Sequence, residues 1–232
     1  MKNLKKFNAF LIAVNIIAGF VFIILHCING EQFPKLVSYF TTIFLPFIPV
    51  LLRKIFHLPI SDLLETAFLT FLIPAMVVGI DADLYKCPWS YDKIVHCASG
   101  ALTAFVAKEI LDNCYKKDKN LLFMFLFYLA FTALIAVAWE IFEFSYDQIC
   151  GGSMQTLISD GVSDTMWDLI TALIGGGIVG FFVMFFETFA RKKIWNSKMY
   201  IPDVYQCMTF LNFKSLKRIW QKSYLALLTW EC

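Results

Sequence analysis

Charged residues are scarce in this sequence, in which Asp, Glu, Lys and Arg together make up only 16% of 232 residues. Soluble domains carry about 25%. Hydrophobic residues reach 59% and the mean hydropathy is +0.67, so the composition excludes a water-soluble globule. Internal repeats, low-complexity tracts and domain linkers are also missing. One polytopic membrane domain is therefore the organisation that the length predicts.

Histidine and cysteine are few and scattered, with three histidines and seven cysteines in the whole chain. No CxxC pair and no Cys/His spacing typical of a metal site occurs. Three cysteines are expected near the outer face, where one disulfide is geometrically allowed: Cys27, Cys87 and Cys150. Free thiols are the alternative, and the odd number of cysteines favours it.

Six stretches contain no Asp, Glu, Lys or Arg, and each reaches or approaches the roughly 20 residues that cross a bilayer. They are residues 7–30, 36–52, 66–80, 94–107, 120–139 and 169–186. The pattern predicts an all-α, polytopic membrane protein with six transmembrane helices. Pro46, Pro49 and Pro74 are expected to interrupt the second and third helices.

The distribution of lysine and arginine predicts the orientation of the chain. Seventeen of the 20 lie in the N-terminal segment, the second and fourth loops and the C-terminal segment, and only Lys35, Lys86 and Lys93 lie in the other loops. The positive-inside rule therefore predicts cytoplasmic N and C termini. We divide the chain into a six-helix transmembrane domain, 1–193, and a cytoplasmic tail, 194–232, with an amphipathic helix over 208–230.

Ionisable residues gather at the outer ends of spans four, five and six, where a charge in the bilayer costs roughly 2.5–3.5 kcal/mol on insertion scales. Within each span they are three or four residues apart and hence share a helix face. Three polar stripes are thus expected to meet in one outward-opening cavity. The residues are Asp92 and His96; Glu140, Glu143 and Asp147; and Asp160, Asp164 and Asp168.

A divalent cation would compensate the repulsion between so many carboxylates. The predicted metal ligands are His96, Glu140, Asp164 and Asp168, a set of oxygen donors and one imidazole that suits Mg²⁺ or Mn²⁺ and also allows Zn²⁺. Glu143 and Glu140 are the candidate catalytic bases, and Asp92, Asp147 and Asp160 are supporting residues. The predicted activity is metal-dependent chemistry on a lipid or lipid-linked substrate, although HExxH and other hydrolase signatures are absent.

Two other functions remain open at this point. The same stripes could form an ion- or proton-coupled transport pathway, or a structural network that fixes helix packing and recruits a partner. Membrane lipid is the expected partner, and no nucleic acid is expected. A small-residue ridge in span six, Ala172, Gly176 and Gly180, predicts tight packing within the chain, with homo-oligomer formation as the alternative.

The ordered motifs resemble those of a known family. Tyr91-Asp-Lys-x-x-His96, Trp139-Glu140-x-x-Glu143 and Asp164-Thr-x-Trp-Asp168, followed by a glycine-rich span, resemble the YjdF-like family of bacterial inner-membrane proteins over roughly residues 60–190. A more distant resemblance is to VanZ-like proteins, from which this chain departs by having Glu143 where that pattern has Gln. The resemblance implies a multi-pass protein of the bacterial cytoplasmic membrane, and it implies no established activity.

Overall fold

The computed structural model of the protein describes residues 2–30, 33–81, 84–86, 90–115, 120–151, 154–155 and 161–197. Within these ranges every regular element is helical, which confirms the all-α prediction. The α-helices are α1 (Lys2–Asn29), α2 (Phe33–Phe44), α3 (Ile48–Ile55), α4 (Asp62–Leu72), α5 (Ser90–Cys114), α6 (Leu121–Cys150) and α7 (Gly161–Ser197).

Six helical segments are long and apolar enough to cross a membrane, and they follow the predicted spans in number and order. They are Asn3–Asn29, Leu36–Ile55, Asp62–Gly79, Tyr91–Cys114, Leu121–Cys150 and Gly161–Phe189. Each is longer than its charge-free stretch or starts before it, because the flanking polar residues are helical too. The described ionisable residues of the stripes at the ends of spans four to six are therefore parts of the spanning helices and not of the loops.

Prolines divide the second and third spans, as the sequence predicts. In the second span α2 is followed by a 3₁₀ turn, Leu45–Phe47, and then by α3, with Pro46 and Pro49 in the first turns of the two new segments. In the third span α4 continues as a wider π-helix, Ile73–Asp81. Pro74 lies at its start, where a missing N–H and a bulky ring prevent ordinary α-helical bonding.

Side-chain caps define helix starts at the end of the molecule opposite to the acidic stripes. The Ser61 hydroxyl accepts the Leu64 N–H at 3.1 Å and begins α4. The Asn120 side chain accepts the N–H groups of Leu122 and Phe123 at 2.8 and 3.2 Å and begins α6. These bonds satisfy backbone donors that have no partner within the helix.

Small residues bring α5 and α7 into backbone contact. A Cβ atom on Gly175 would lie 1.9 Å from the carbonyl oxygen of Cys97, and one on Gly100 would lie 1.9 Å from that of Ala172. Gly176 faces α6 instead, where a Cβ would lie 2.6 Å from the Thr132 hydroxyl. The ridge of span six therefore packs within the chain, and it contacts two helices, because Gly175 and Gly176 point in different directions.

The chain forms two compact units, Met1–Phe181 and Phe182–Cys232. The described part of the second unit is the remainder of α7. The predicted amphipathic helix over 208–230 lies outside the described residues, as do Asp160, Cys87, Cys207 and Cys232. The described cysteines are all free: Cys27, Cys97, Cys114 and Cys150.

Candidate functional site

A buried group of ionisable side chains lies where α5 begins, α6 ends and α7 begins. All but Asp92 are buried, and Asp168 is the deepest of the carboxylates, with 1% of its surface exposed. We call this group the acidic cluster. It consists of Asp92, Lys93 and His96 on α5, Glu140 and Glu143 on α6, and Asp164 and Asp168 on α7.

Lys93 joins the three aspartates of the cluster. Its ammonium nitrogen Nζ donates to Asp92 Oδ2 at 2.8 Å, to Asp164 Oδ1 at 2.7 Å and to Asp168 Oδ1 at 2.6 Å. An ammonium group has three N–H donors, so every donor of Lys93 is used. Two of these charge-assisted bonds, to Asp164 and Asp168, connect α5 to α7 above the close contact at Gly100 and Gly175.

His96 is surrounded by carboxylates at longer distances. Its Nε2 atom lies 3.4 Å from Asp92 Oδ1 and 3.6 Å from Asp168 Oδ1, and its Nδ1 atom lies 4.0 Å from Glu140 Oε1. Hydrogen bonds between nitrogen and oxygen have a typical length of about 2.9–3.0 Å. The imidazole thus lies among three carboxylates without a close bond to any of them.

The two glutamates of α6 differ in their bonding. The Oε1 atom of Glu143 accepts the indole N–H of Trp139 at 2.6 Å, one turn earlier on the same helix. The Oε2 atom of Glu140 is buried and has no hydrogen-bond partner among the described residues. A buried carboxylate oxygen without a donor is expensive, so this atom marks a position where a ligand or a proton would be stabilised.

Two tyrosine hydroxyls donate hydrogen bonds to backbone carbonyls of the π-helix beside the cluster. The Tyr85 hydroxyl donates to the Ala75 carbonyl at 2.9 Å, and the Tyr91 hydroxyl donates to the Pro74 carbonyl at 2.7 Å. Gly79 leaves room for the Tyr85 ring, which a Cβ atom there would meet at 2.3 Å. Burial raises the pKa of Tyr85 well above its usual range, and the negative charge of Asp92 adds to this effect. The hydroxyl therefore stays protonated and keeps donating.

The charges of the cluster are unequal. Five carboxylates face one lysine and one histidine, so that negative charge is in excess even when His96 is protonated. In a low-dielectric environment such an excess requires bound protons or a cation. The arrangement can accordingly hold a cation, exchange protons, or do both.

Three residues of the cluster form a compact set of metal-ligand atoms. One nitrogen of His96 and one oxygen each of Asp92 and Asp168 all lie within 4.8 Å of one another. Of the predicted ligands, His96 and Asp168 belong to this set. Asp164 instead binds Lys93, and Glu140 faces the Nδ1 side of the imidazole. Asp92, predicted to be a supporting residue, is the third member of this set.

A family of predicted membrane proteins, DUF2238, matches residues 9–189. The chain belongs to this DUF2238 family. Neither the curated proteins nor the solved structures contain a match to the chain. All seven residues of the acidic cluster lie inside the region that defines the DUF2238 family, and the C-terminal segment beyond residue 189 lies outside it.

Asp147 is not part of the cluster. Its carboxylate accepts the backbone N–H groups of Met154 and Gln155, both at 2.8 Å, and the Gln155 amide donates to the Thr165 hydroxyl at 3.0 Å. Asp147 therefore connects the end of α6 to the segment that leads into α7. Its expected supporting role is structural, and the position of Asp160 lies outside the described residues.

Sequence reasoning missed Lys93, which it counted as a loop residue. The available signal was its spacing, because Lys93 and His96 are three residues apart and share a face of α5. No comparable sequence signal indicates the contacts of Tyr85 and Tyr91 with the π-helix. A hydroxyl that binds a carbonyl of a π-helix can be found only once the path of the chain after Pro74 is known.

Proposed function

We propose that the protein binds a divalent cation in the acidic cluster, at Asp92, His96 and Asp168, and uses it for chemistry on a lipid or lipid-linked substrate at the membrane surface. The spacing of the three ligand atoms carries this proposal. The proposed ligands are therefore only the three residues whose donor atoms lie close together. Glu140 would act as an additional ligand or as a base.

The distances around His96 support a metal better than they support hydrogen bonds. In a tetrahedral shell with bonds of about 2.0–2.1 Å, neighbouring ligand atoms are roughly 3.3–3.5 Å apart. The Nε2 atom of His96 lies 3.4 and 3.6 Å from the two aspartate oxygens, close to this separation. Small side-chain movements would therefore complete the shell, and the excess of carboxylates would stabilise the added positive charge.

The surrounding groups suit metal-assisted hydrolysis or transfer. A bound divalent cation polarises a phosphoryl or carbonyl oxygen and makes a bound water more acidic. Glu140 offers an oxygen without a donor, and this supports it as the base that takes a proton from that water. Glu143 is the second candidate, since Trp139 binds only one of its oxygens.

The location of this chemistry is also part of the proposal. The distribution of lysine and arginine favours cytoplasmic termini, and the acidic cluster would then face the outer side of a bacterial cytoplasmic membrane. The order of the motifs supports a place among YjdF-like proteins, with a more distant relation to VanZ-like proteins. A headgroup or a lipid-linked phosphate would approach the cluster from that side.

One observation favours a second function, a purely structural network. Lys93 already uses all three donors on aspartates of two helices, and such networks fix helix register. Transport has less support. Directly inward of the cluster, α5 and α7 are in backbone contact at Gly100 and Gly175, which leaves no space for a path between these two helices in this conformation.

Metal analysis tests the proposal. Wild-type protein, Asp168→Asn and the control Asp112→Asn are purified in detergent, stripped with chelator and incubated with Mn²⁺ or Zn²⁺. Asp112 is a matched control because it pairs with a buried lysine, Lys108, on the same helix but far from His96. We expect about one ion per chain in wild type and control, and none in Asp168→Asn. Binding by none of the three proteins, or equal binding by all, would contradict the site.

The enzymatic part requires a second comparison. Lipid extracts are taken from cells that express wild type or Asp168→Asn, and are compared by mass spectrometry. We expect a lipid-linked species that accumulates with the variant and that purified wild type consumes only with metal. If the two lipid extracts are identical and the purified wild type consumes no lipid-linked species, the enzymatic part of the proposal is refuted. The site would then be a structural metal site.

A further inference from the structure

Lys93 and the proposed metal compete for the same atoms. Asp168 Oδ1 lies 2.6 Å from Lys93 Nζ and also faces His96 Nε2, at 3.6 Å. Asp92 also contacts both residues, because its Oδ2 atom binds Lys93 and its Oδ1 atom faces His96. Two of the three proposed ligands are thus already bound to a positive charge that belongs to the protein.

The two cations would repel each other in this geometry. A metal bonded to Asp168 Oδ1 at about 2.0–2.2 Å would lie no more than about 5 Å from the ammonium group on the same oxygen. Their repulsion is strong in a site of low dielectric constant. A carboxylate oxygen that already accepts a hydrogen bond from Lys93 is also a weaker metal ligand.

We propose that Lys93 is a built-in competitor that occupies the site in the metal-free form and leaves Asp168 when a divalent cation binds. This inference rests on the proposed function. It adds a regulatory element, because metal binding then requires the movement of one side chain. The cluster would alternate between a lysine-bound closed state and a metal-bound open state.

The surroundings allow this movement. Lys93 is only three residues from the start of α5 at Ser90, and long lysine side chains near a helix end readily extend to the membrane surface. Asp168 lies at the bottom of the cluster, whereas the side chains of Asp164 and Asp92 are 11% and 26% exposed. Lys93 can leave Asp168 and remain bound to the outer pair.

A second observation indicates that Lys93 does not complete the site. Among the described residues the Oε2 atom of Glu140 has no hydrogen-bond partner, and Glu140 is buried, with 6% of its surface exposed and its other oxygen facing His96. Lys93 has no donor left for this atom, since its three N–H groups are used. A cation beside His96 would satisfy an acceptor that the lysine-bound state leaves unsatisfied.

The first test measures metal affinity of the full-length protein in detergent for wild type, Lys93→Met and the control Lys108→Met. Lys108 is a matched control because it is as buried as Lys93, at 7% against 5% exposed, and pairs with Asp112 on the same helix. Removal of a competitor increases the population of the binding-competent state. We expect the Mn²⁺ dissociation constant to fall about tenfold or more in Lys93→Met and to stay unchanged in Lys108→Met.

The second test needs no variant and covers the case in which Lys93→Met does not fold. Wild-type protein is labelled by reductive methylation with and without Mn²⁺, and modification of each lysine is measured by mass spectrometry. We expect Mn²⁺ to increase the labelling of Lys93 several-fold, because its ammonium leaves Asp168, the deepest carboxylate, for the more exposed Asp164 and Asp92. Labelling of Lys108 in the same sample should not change.

The outcomes separate the two claims. If wild type binds Mn²⁺, but Lys93→Met binds no more tightly and labelling of Lys93 is unaffected, the competitor is refuted and the proposed function stands. If neither wild type nor Lys93→Met binds Mn²⁺, the proposed function fails and the competitor fails with it. Tighter binding in Lys93→Met together with metal-dependent labelling of Lys93 supports both.

Discussion

Two buried polar groups of the first compact unit differ in their charge balance. The first is the acidic cluster. The second, which we call the α1–α4 clamp, lies at the other end and consists of Asn8, Arg53, Asp62, Glu65 and Thr66. In the clamp Glu65 binds the Arg53 guanidinium and accepts the Asn8 amide at 2.9 Å, and Asn8 also accepts the Thr66 hydroxyl at 2.5 Å. Two carboxylates face one arginine, and each bond joins neighbouring helices.

Both groups contain buried charged residues, but the acidic cluster has a different chemistry. It contains five carboxylates against Lys93 and His96, and the buried Glu140 Oε2 atom has no donor among the residues that the structure describes. Its imidazole is 3.4–4.0 Å from three carboxylates, too far for good hydrogen bonds. Burial alone therefore does not distinguish a functional group from a structural one. The unsatisfied buried atoms differ in kind among the described residues: in the clamp the atom is a donor, Arg53 Nε, whereas in the acidic cluster it is an acceptor, Glu140 Oε2, which a cation would stabilise.

Removal of a clamp carboxylate should have the largest effect on stability. Glu65→Gln leaves Arg53 without its closest charged partner and replaces an acceptor of Asn8. We expect a loss of about 3 kcal/mol in the free energy of unfolding, measured by SDS titration in mixed micelles. Metal affinity should not change. A variant as stable as wild type would mean that the clamp is not a structural element.

The contact between α5 and α7 should matter next, because it sets the distance between His96 and Asp168. Gly175→Ala would place a Cβ 1.9 Å from the Cys97 carbonyl and force the helices apart, with an expected loss of about 2 kcal/mol. Metal affinity should fall as well.

Gly177→Ala is the matched control, since its Cβ would meet only Leu129, at an ordinary 3.7 Å. We expect this control to keep its metal affinity and to be as stable as wild type or slightly more stable. Equal effects of the two variants would contradict a specific contact at Gly175.

The smallest effect on stability is expected inside the cluster. Glu140→Gln removes one negative charge from a group that has too many, and breaks no hydrogen bond to Oε2. The free energy of unfolding should change by no more than about 0.5 kcal/mol, while metal-dependent turnover is lost. A strong destabilisation, like that expected for Glu65→Gln, would place Glu140 among the structural residues and remove the contrast between the two groups.

Helix number and the location of the polar stripes could be predicted from the sequence. Apolar length predicts six spans, and spacings of three and four residues place Asp92 with His96, Glu140 with Glu143 and Asp164 with Asp168. Pro74 predicts an interruption of span three. Its form could not be predicted, because a π-helix depends on tertiary partners such as the hydroxyls of Tyr85 and Tyr91.

Which carboxylates of α6 and α7 lie nearest to His96 could not be predicted, because spacing defines a stripe but not its rotation toward the neighbouring helix. Asp164 and Asp168 share one face of α7, yet Asp168 is deeper and also faces His96. The sequence predicts Asp92 only as a supporting residue. Its position four residues before His96 predicts that it faces the imidazole, and the structure adds that Lys93 links it to Asp164 and Asp168 on α7.

The most direct test of a metal at His96 is electron spin-echo spectroscopy of the Mn²⁺-loaded protein. The chain has three histidines, so His57→Gln, at an exposed position, is a control for His96→Gln. We predict modulation from one imidazole nitrogen that is present in wild type and His57→Gln and is lost in His96→Gln. Its absence from wild type, or its persistence in His96→Gln, would contradict a metal site in the acidic cluster.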